Sequence, residues 1–409
     1  MNKSLIPRLS AMMFLQFFIW GTWYVTIGNY MTANNMADLT HWPYTVNPIA
    51  AIIAPFFIGM IADRYFATEK VLGILHLLGG VIMFFVPQTT DNPTLFIVLL
   101  LAYNMCYMPT LSLSNTLAFH NIQDQEKQFP VIRVFGTIGW IVSGLFISYV
   151  LVSFVTDTLP DATPLPMYTT AIASILLGAY SFTLPHTPPP AAGEKTSARN
   201  ILGIDAFNQL KSKSFIIFII SSFLISIPLA AYYNFAPIFI TNVGFEKPAA
   251  TMSLGQFSEM FFMILIPFFF ARLGVKKMLI FGMGSWILRY LFFAFAAPAG
   301  AFWMIVVGVL LHGLCYDFFF VTGQIYVDKK SNAAIRGQAQ GFLVLVTYGA
   351  GMLIGAQIAG ILYNSFLGTA DALTPEQWKN FWIIPAVFAV AIMAFFGLTF
   401  TDKVKNKEV

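Results

Sequence analysis

Four charged residues, Arg133, Glu259, Arg289 and Asp317, fall inside or at the mouth of runs otherwise apolar enough to lie in hydrocarbon. An ionised carboxylate there costs several kcal/mol or is held neutral. In SLGQFSEMFFMILIPFFFAR, residues 253–272, Glu259 lies near the middle of the run. Gln256 precedes it by three residues and so shares its helical face. A buried carboxylate beside a neutral amide can be protonated from one side of a membrane and deprotonated on the other, and can accept hydrogen bonds from solute hydroxyls. The competing reading is a carboxylic acid that only hydrogen-bonds a neighbouring helix. Asp317 lies roughly 14 Å from the inner end of its own run at 1.5 Å per residue and needs a partner or a proton. Arg133 and Arg289 are both candidates for that partner.

Other polar residues line up at helical spacing. Arg133, Thr137 and Trp140 stand at i, i+4 and i+7, with Gly136 and Gly139 beside them to allow close backbone approach. A guanidinium, a hydroxyl and an indole on one stripe make a cavity wall, although an arginine so placed also suits snorkelling to headgroups. His312 and Tyr316, one turn apart, precede Asp317 and are further cavity candidates. Gln16, Trp20 and Trp23, and Asn104, Tyr107, Ser112 and Asn115 around Pro109, serve equally well as polar glue between helices. His76 reads as a satisfied core histidine. Aromatic faces, amides and a carboxylate suit a ring-bearing, hydroxylated, largely neutral solute, a class that includes nucleosides and sugars. No GxxxxGK[ST] motif supports an ATP-driven pump, and no metal-ligand or nucleophile motif supports an enzyme, a cofactor or a bound metal.

The elements that must carry these residues follow from composition. The chain has 409 residues, 58% of them hydrophobic and only 10% charged, with a mean hydropathy of +0.74. A soluble domain needs a polar skin of roughly 25% charged residues, so this is a polytopic membrane protein. Its net charge of +4 is spread loop by loop and reads as topology, not as a nucleic-acid surface. Cys106 and Cys315 lie in apolar runs and make no disulfide framework. Lys3 and Arg8 precede an apolar run longer than a signal-peptide core, which is expected to be an uncleaved first membrane helix.

Segments of the roughly 20 residues needed to cross hydrocarbon occur near 9–31, 43–62, 71–87, 94–118, 131–155 and 167–185, and again near 214–241, 250–271, 276–297, 301–326, 336–363 and 380–401. The expected organisation is an N-terminal six-helix bundle over 1–185, a cytoplasmic linker over 186–213 rich in Pro, Gly, Ser and charge, and a C-terminal six-helix bundle over 214–409. A short surface helix is expected at 203–211. With both termini in the cytoplasm, nineteen of the 22 Lys and Arg lie inside, Lys247 and Lys379 outside, and Arg289 within a helix. That bias supports twelve crossings with both ends in the cytoplasm.

The halves also echo each other. LLAYNMCYM around Cys106 matches LLHGLCYDF around Cys315, IADRYFATEKV parallels FARLGVKKM, and Arg133 is echoed by Arg336, in the same order and at nearly one offset. Tandem six-helix repeats are the architecture of the major facilitator superfamily, whose halves rock about a central site for alternating access. GMIADRYFATEK, with Asp63 and Arg64, resembles that superfamily's loop after its second helix.

FLQFFIWGTWYVTIGNYM, YMPTLSLSNTLAF, FPVIRVFGTIGW, GQFSEMFFMILIPFFFARLGVKK, WILRYLFFAF and YDFFFVTGQIYVDK, followed by IRGQAQG, resemble the bacterial nucleoside:proton symporters of that superfamily from the first helix to the eleventh. The resemblance implies proton-coupled nucleoside uptake across the cytoplasmic (inner) membrane by a protein expected to be a monomer in lipid. It implies substrate contacts from Arg133, Thr137, Trp140, Gln256, Glu259, Tyr316 and Asp317, with Glu259 and Asp317 as proton-coupling groups. Where familiar members carry Gln-x-x-Asn in the seventh helix, this chain has Ala230 and Tyr233, with Asn234 one step on; His312 replaces a tyrosine. Asn234 and His312 therefore join the candidate substrate contacts, and base selectivity is open. The alternatives are a sugar or glycoside symporter on the same scaffold and a non-transporting membrane receptor or scaffold.

Overall fold

A computed structural model describes residues 5–54, 65–189, 202–332 and 335–401. Asp63 and Arg64 of the superfamily-like loop lie outside the described residues, as does 190–201 of the expected linker. The described chain is all-α. Its helices are α1 (Leu5–Tyr24), α2 (Ile27–Ala33), α3 (Trp42–Ala54), α4 (Thr68–Phe85), α5 (Pro93–Asn121), α6 (Gln125–Tyr149) and α7 (Leu165–Ser181). After them come the short α8 (Ile204–Leu210), then α9 (Lys213–Asn242), α10 (Pro248–Ala299), α11 (Phe302–Leu310), α12 (His312–Tyr316), α13 (Thr322–Lys330), α14 (Arg336–Val344), α15 (Met352–Leu367) and α16 (Pro375–Thr399).

Each of the twelve expected spans holds helix. Eight runs among the described residues are long and apolar enough to cross a membrane. Two further expected spans lie within α10, where Gly274 at φ 67° and ψ 176° divides the helix into two. The first α3 residues and the 17-residue α7 occupy the remaining two positions. The short helix expected at 203–211 is α8.

Local sequence sets several helix starts. Asn92 accepts from the Leu95 N–H ahead of Pro93, Asp124 from Lys127 N–H, and Ser212 from Phe215 N–H. Thr374 and Gln377 form a capping box around Pro375. Each supplies an acceptor to a backbone donor that the first helical turn leaves without one.

The chain forms two compact units, Met1–Thr196 with Gly244–Ser253, and Ser197–Val243 with Leu254–Val409. In the first, α1 packs chiefly on α6 and α7, and α4 on α5 and α7. Polar groups tie these helices together. His76 meets Ser174 Oγ at 3.1 Å and Gln16 Oε1 at 2.9 Å, Gln16 donates to Thr110 Oγ1 at 2.7 Å, and Asn47 donates to Asn104 Oδ1 at 2.7 Å. The core reading of His76 and the glue reading of Gln16 and Asn104 both hold. The first turn of α10 belongs to this unit: Ala250 N–H donates to Ser148 Oγ at 3.0 Å, and Lys247 Nζ lies 4.1 Å above the Tyr149 ring. In the second unit α9 packs against α15 and α16. Two π turns interrupt its helices, at Asp317–Val321 between α12 and α13 and at Leu345–Gly351 between α14 and α15.

Candidate functional site

In the first unit α6 places Arg133, Thr137 and Trp140 on one half-buried stripe, as the spacing requires. The Arg133 guanidinium carbon lies 4.3 Å above the Phe17 ring. Trp140 meets Trp20 edge-to-face with centroids 5.4 Å apart, and Tyr24 at 6.1 Å. Trp20 continues the aromatic wall to Tyr107 at 5.9 Å. Tyr107 in turn donates to the Gln16 carbonyl at 2.5 Å, which fixes its ring. Gly139 packs against the backbone of Phe14, the close approach expected of that position. The wall thus presents a cation and ring faces, with the Tyr107 ring held by a hydrogen bond to the neighbouring helix.

The second unit carries Asn234 on α9, Gln256 and Glu259 on α10, His312 and Tyr316 on α12 and Asp317 at the start of the turn that follows α12. Two small residues bring α10 and α12 together. Gly255 backs onto His312, and a Cβ at Gly313 would fall 2.5 Å from the carbonyl carbon and oxygen of Ser258, so only glycine lets α10 and α12 come this close. Ser258 Oγ donates to the Leu310 carbonyl across the same contact. The approach brings Glu259 within electrostatic reach of Asp317.

Asp317 is fully buried, and neither of its carboxylate oxygens has a hydrogen-bond partner. Asn234 is equally buried with neither amide atom engaged, and Gln256 Oε1 also lacks a partner. An unsatisfied buried polar atom is costly, and a carboxylate without a partner asks for a ligand or a proton. Asp317 also opens the first of the two π turns, a helical irregularity frequent at functional sites.

Arg289 is not the partner of Asp317. Its Nε donates to the Gly308 carbonyl at 3.1 Å, an Nη donates to His312 Nδ1 at 3.1 Å, and the guanidinium carbon lies 4.0 Å over the Tyr232 ring. These contacts occupy the arginine with groups of α9, α11 and α12. His312 is correspondingly a core residue, 1% exposed, with its second ring nitrogen 3.4 Å from the Tyr233 hydroxyl. It stacks on Tyr316 at 5.8 Å and so backs the candidate site. Sequence spacing missed Tyr232 and Tyr233 as its companions, because they come from α9 and share no helical period with α12. Their adjacency to Asn234 in the departure from the familiar seventh-helix pattern was the available signal.

A family model described as nucleoside H+ symporter matches residues 1–405. The Escherichia coli (strain K12) protein YegT, named as a candidate nucleoside transporter, is 40% identical over 401 residues, covering 97% of this chain and 93% of that protein. The xanthosine permease of the same organism is 31% identical over 428 residues, 99% of each. A crystal structure of the nucleoside transporter NupG superposes with a TM-score of 0.83 at 30% identity, over 98% of this chain and 100% of that one. The likeness extends the fold match to the major facilitator architecture expected from the tandem repeats. It favours the nucleoside reading over the sugar and receptor alternatives.

Proposed function

We propose that this chain, which belongs to the nucleoside H+ symporter family, couples inward nucleoside movement to protons through Glu259 and Asp317. It is a membrane transporter and not an enzyme. The observation that carries the residue assignment is the fully buried Asp317, with both carboxylate oxygens unpartnered. Two negative charges at close range in a region of low dielectric are mutually costly, so such a pair holds a proton between its members. A solute that brings hydroxyl donors to the pair changes that balance, which links solute entry to proton entry. Alternating access then exposes the pair to each side of the membrane in turn.

Two amides of the second unit suit a nucleoside. Asn234 offers an unused donor and acceptor, and Gln256 an unused acceptor. Ribose hydroxyls and the edge of a base present the complementary groups. Tyr316 supplies a ring face in the second unit, while Arg133, Thr137 and Trp140 are proposed as further solute contacts contributed by the first. The distribution of Lys and Arg supports an orientation with both termini inside, and we place the chain in the cytoplasmic membrane.

Purified protein in proteoliposomes under an imposed inward proton gradient tests this reading with labelled uridine, adenosine, xanthosine and a hexose. Nucleoside accumulation that collapses with a protonophore is the expected result. Hexose flux without nucleoside flux, or binding with no flux of any solute, overturns it.

A further inference from the structure

The polar network of the first unit lies directly behind its aromatic wall, and donor and acceptor arithmetic fixes its hydrogens. Gln16 of α1, His76 of α4, Thr110 of α5 and Ser174 of α7 are all buried. Thr110 donates its hydroxyl hydrogen to the Tyr107 carbonyl at 2.6 Å, so toward Gln16 its oxygen can only accept. The Gln16 atom 2.7 Å from that oxygen is therefore the amide nitrogen, which leaves Gln16 Oε1 facing His76 Nε2 at 2.9 Å. A carbonyl oxygen has no hydrogen to give, so Nε2 carries one and donates it. Nδ1 of the neutral ring is then the acceptor, and the Ser174 hydroxyl stands 3.1 Å from it and from the His76 carbonyl. From α4 onward the bonds run in one direction, His76 to Gln16 to Thr110 to the Tyr107 carbonyl, and both nitrogens of the imidazole are engaged.

This network grips Tyr107 at two further points. The Tyr107 hydroxyl donates to the Gln16 carbonyl at 2.5 Å, and its ring stands edge-to-face with His76 at 5.9 Å. The same ring lies 5.9 Å from Trp20, which meets Trp140 edge-to-face at 5.4 Å. Gln16 and Trp20 are one turn apart on α1, so the residue that receives the His76 hydrogen also belongs to the turn that carries Trp20. Tyr107 is buried, whereas Trp20 and Trp140 are half-buried. The open ring surface thus belongs to the two indoles, and the groups that orient them stand behind. Aromatic pairs hold a preferred edge-to-face angle only when both rings are supported.

We propose that His76 is a positioning residue: through Gln16 and Tyr107 it sets the angle of Trp20, and thereby the angle at which Trp140 offers its face to the nucleobase. The inference rests on the nucleoside reading above and on Trp140 as a contact for the base. His76 itself then touches no solute. Without its N–H, Gln16 Oε1 is left buried and unsatisfied, the amide is free to turn, and Tyr107 loses the fixed partner behind Trp20.

Equilibrium binding of tritiated uridine and adenosine to the purified full-length protein tests this, with thermal melting alongside, in wild type, His76→Leu, His76→Gln, Tyr107→Phe, Trp140→Ala and the variant carrying both His76→Leu and Trp140→Ala. His76→Leu and Tyr107→Phe are each expected to weaken binding of both nucleosides about 3–10-fold, and His76→Gln, which keeps a donor for Gln16, to weaken it less. In the Trp140→Ala background His76→Leu is expected to add no further loss, because the network acts on the base only through that indole. A histidine that serves helix packing alone lowers affinity by the same factor with or without the indole, and that outcome overturns the proposal. Tyr107→Phe with wild-type affinity for both nucleosides overturns it even if the His76 variants fail to fold. Wild type that binds neither nucleoside refutes the transport reading, and this inference with it; wild type that binds more tightly than Trp140→Ala, with His76→Leu and Tyr107→Phe equal to wild type, refutes this inference alone.

Discussion

Glu259 and Asp317 are both carboxylates, yet their surroundings assign them different parts. Glu259 is half-buried beside Gln256, while Asp317 is sealed from solvent with no hydrogen bond to either oxygen. In the proposed coupling, Glu259 is the member a solute meets first and Asp317 the more secluded one. Glu259→Gln keeps the shape and much of the hydrogen bonding but cannot exchange a proton. It is expected to abolish nucleoside-induced alkalinisation in cells at wild-type expression while binding persists; alkalinisation by the variant contradicts the assignment. Trp140 is fixed on its edge by Trp20 and Tyr24 and leaves part of its ring open. Trp140→Ala should weaken nucleoside binding by about 1–3 kcal/mol if a base stacks on it, and Trp140→Phe by less. Equal affinity in all three proteins assigns the ring to helix packing.

At the scale of elements, the contact between α10 and α12 holds the site together. A methyl group at Gly313 must displace the Ser258 carbonyl, backbone that cannot rotate aside. Gly313→Ala is therefore expected to cost about 1–3 kcal/mol by overpacking. It should also part Glu259 from Asp317, lowering both the melting temperature and coupled uptake; an unchanged melting temperature shows that the helices are not in contact there. The helices themselves were legible in the sequence, since length and hydropathy mark a span wherever some 20 apolar residues run together. So were the acids at membrane depth and the Arg133, Thr137 and Trp140 stripe, all of which rest on spacing within one helix. The partner of Arg289 was not legible. Its contacts come from three other helical stretches, and no period within α10 points at His312 or Tyr232. Nor was the π turn at Asp317, because a reading at 3.6 residues per turn assumes that the helix continues unbroken.

At the scale of the whole molecule, stability couples to pH through a residue outside the candidate site. Asp161, in the connection between α6 and α7, is 1% exposed with neither carboxylate oxygen hydrogen-bonded. Burial pushes its carboxyl up from 3.8 to about 7, and the N–H groups of Asp161 and Ala249 that face it offset this only in part. Between about pH 4 and 7 the folded protein therefore holds a proton there that the unfolded chain has released. Stability is greatest at the acid end of that window and falls as pH rises through it, by at most about 1.4 kcal/mol per pH unit. Asp161→Asn should flatten this slope and raise the melting temperature at pH 7 relative to pH 5; an unaltered slope removes Asp161 as its source. The backbone torsion at Gly274 has a consequence on the same scale. Unbroken, the 52 residues of α10 would run about 78 Å at 1.5 Å per residue, more than twice the hydrocarbon thickness. The positive φ at Gly274, with nothing within 4 Å of the position a side chain would take, folds that rod into two crossings. One glycine thus decides whether the number of crossings is even or odd, and with it the parity of the chain. An even count returns the C-terminus to the side it started from, so a reporter fused there is expected to be active in the same compartment as one fused at the N-terminus.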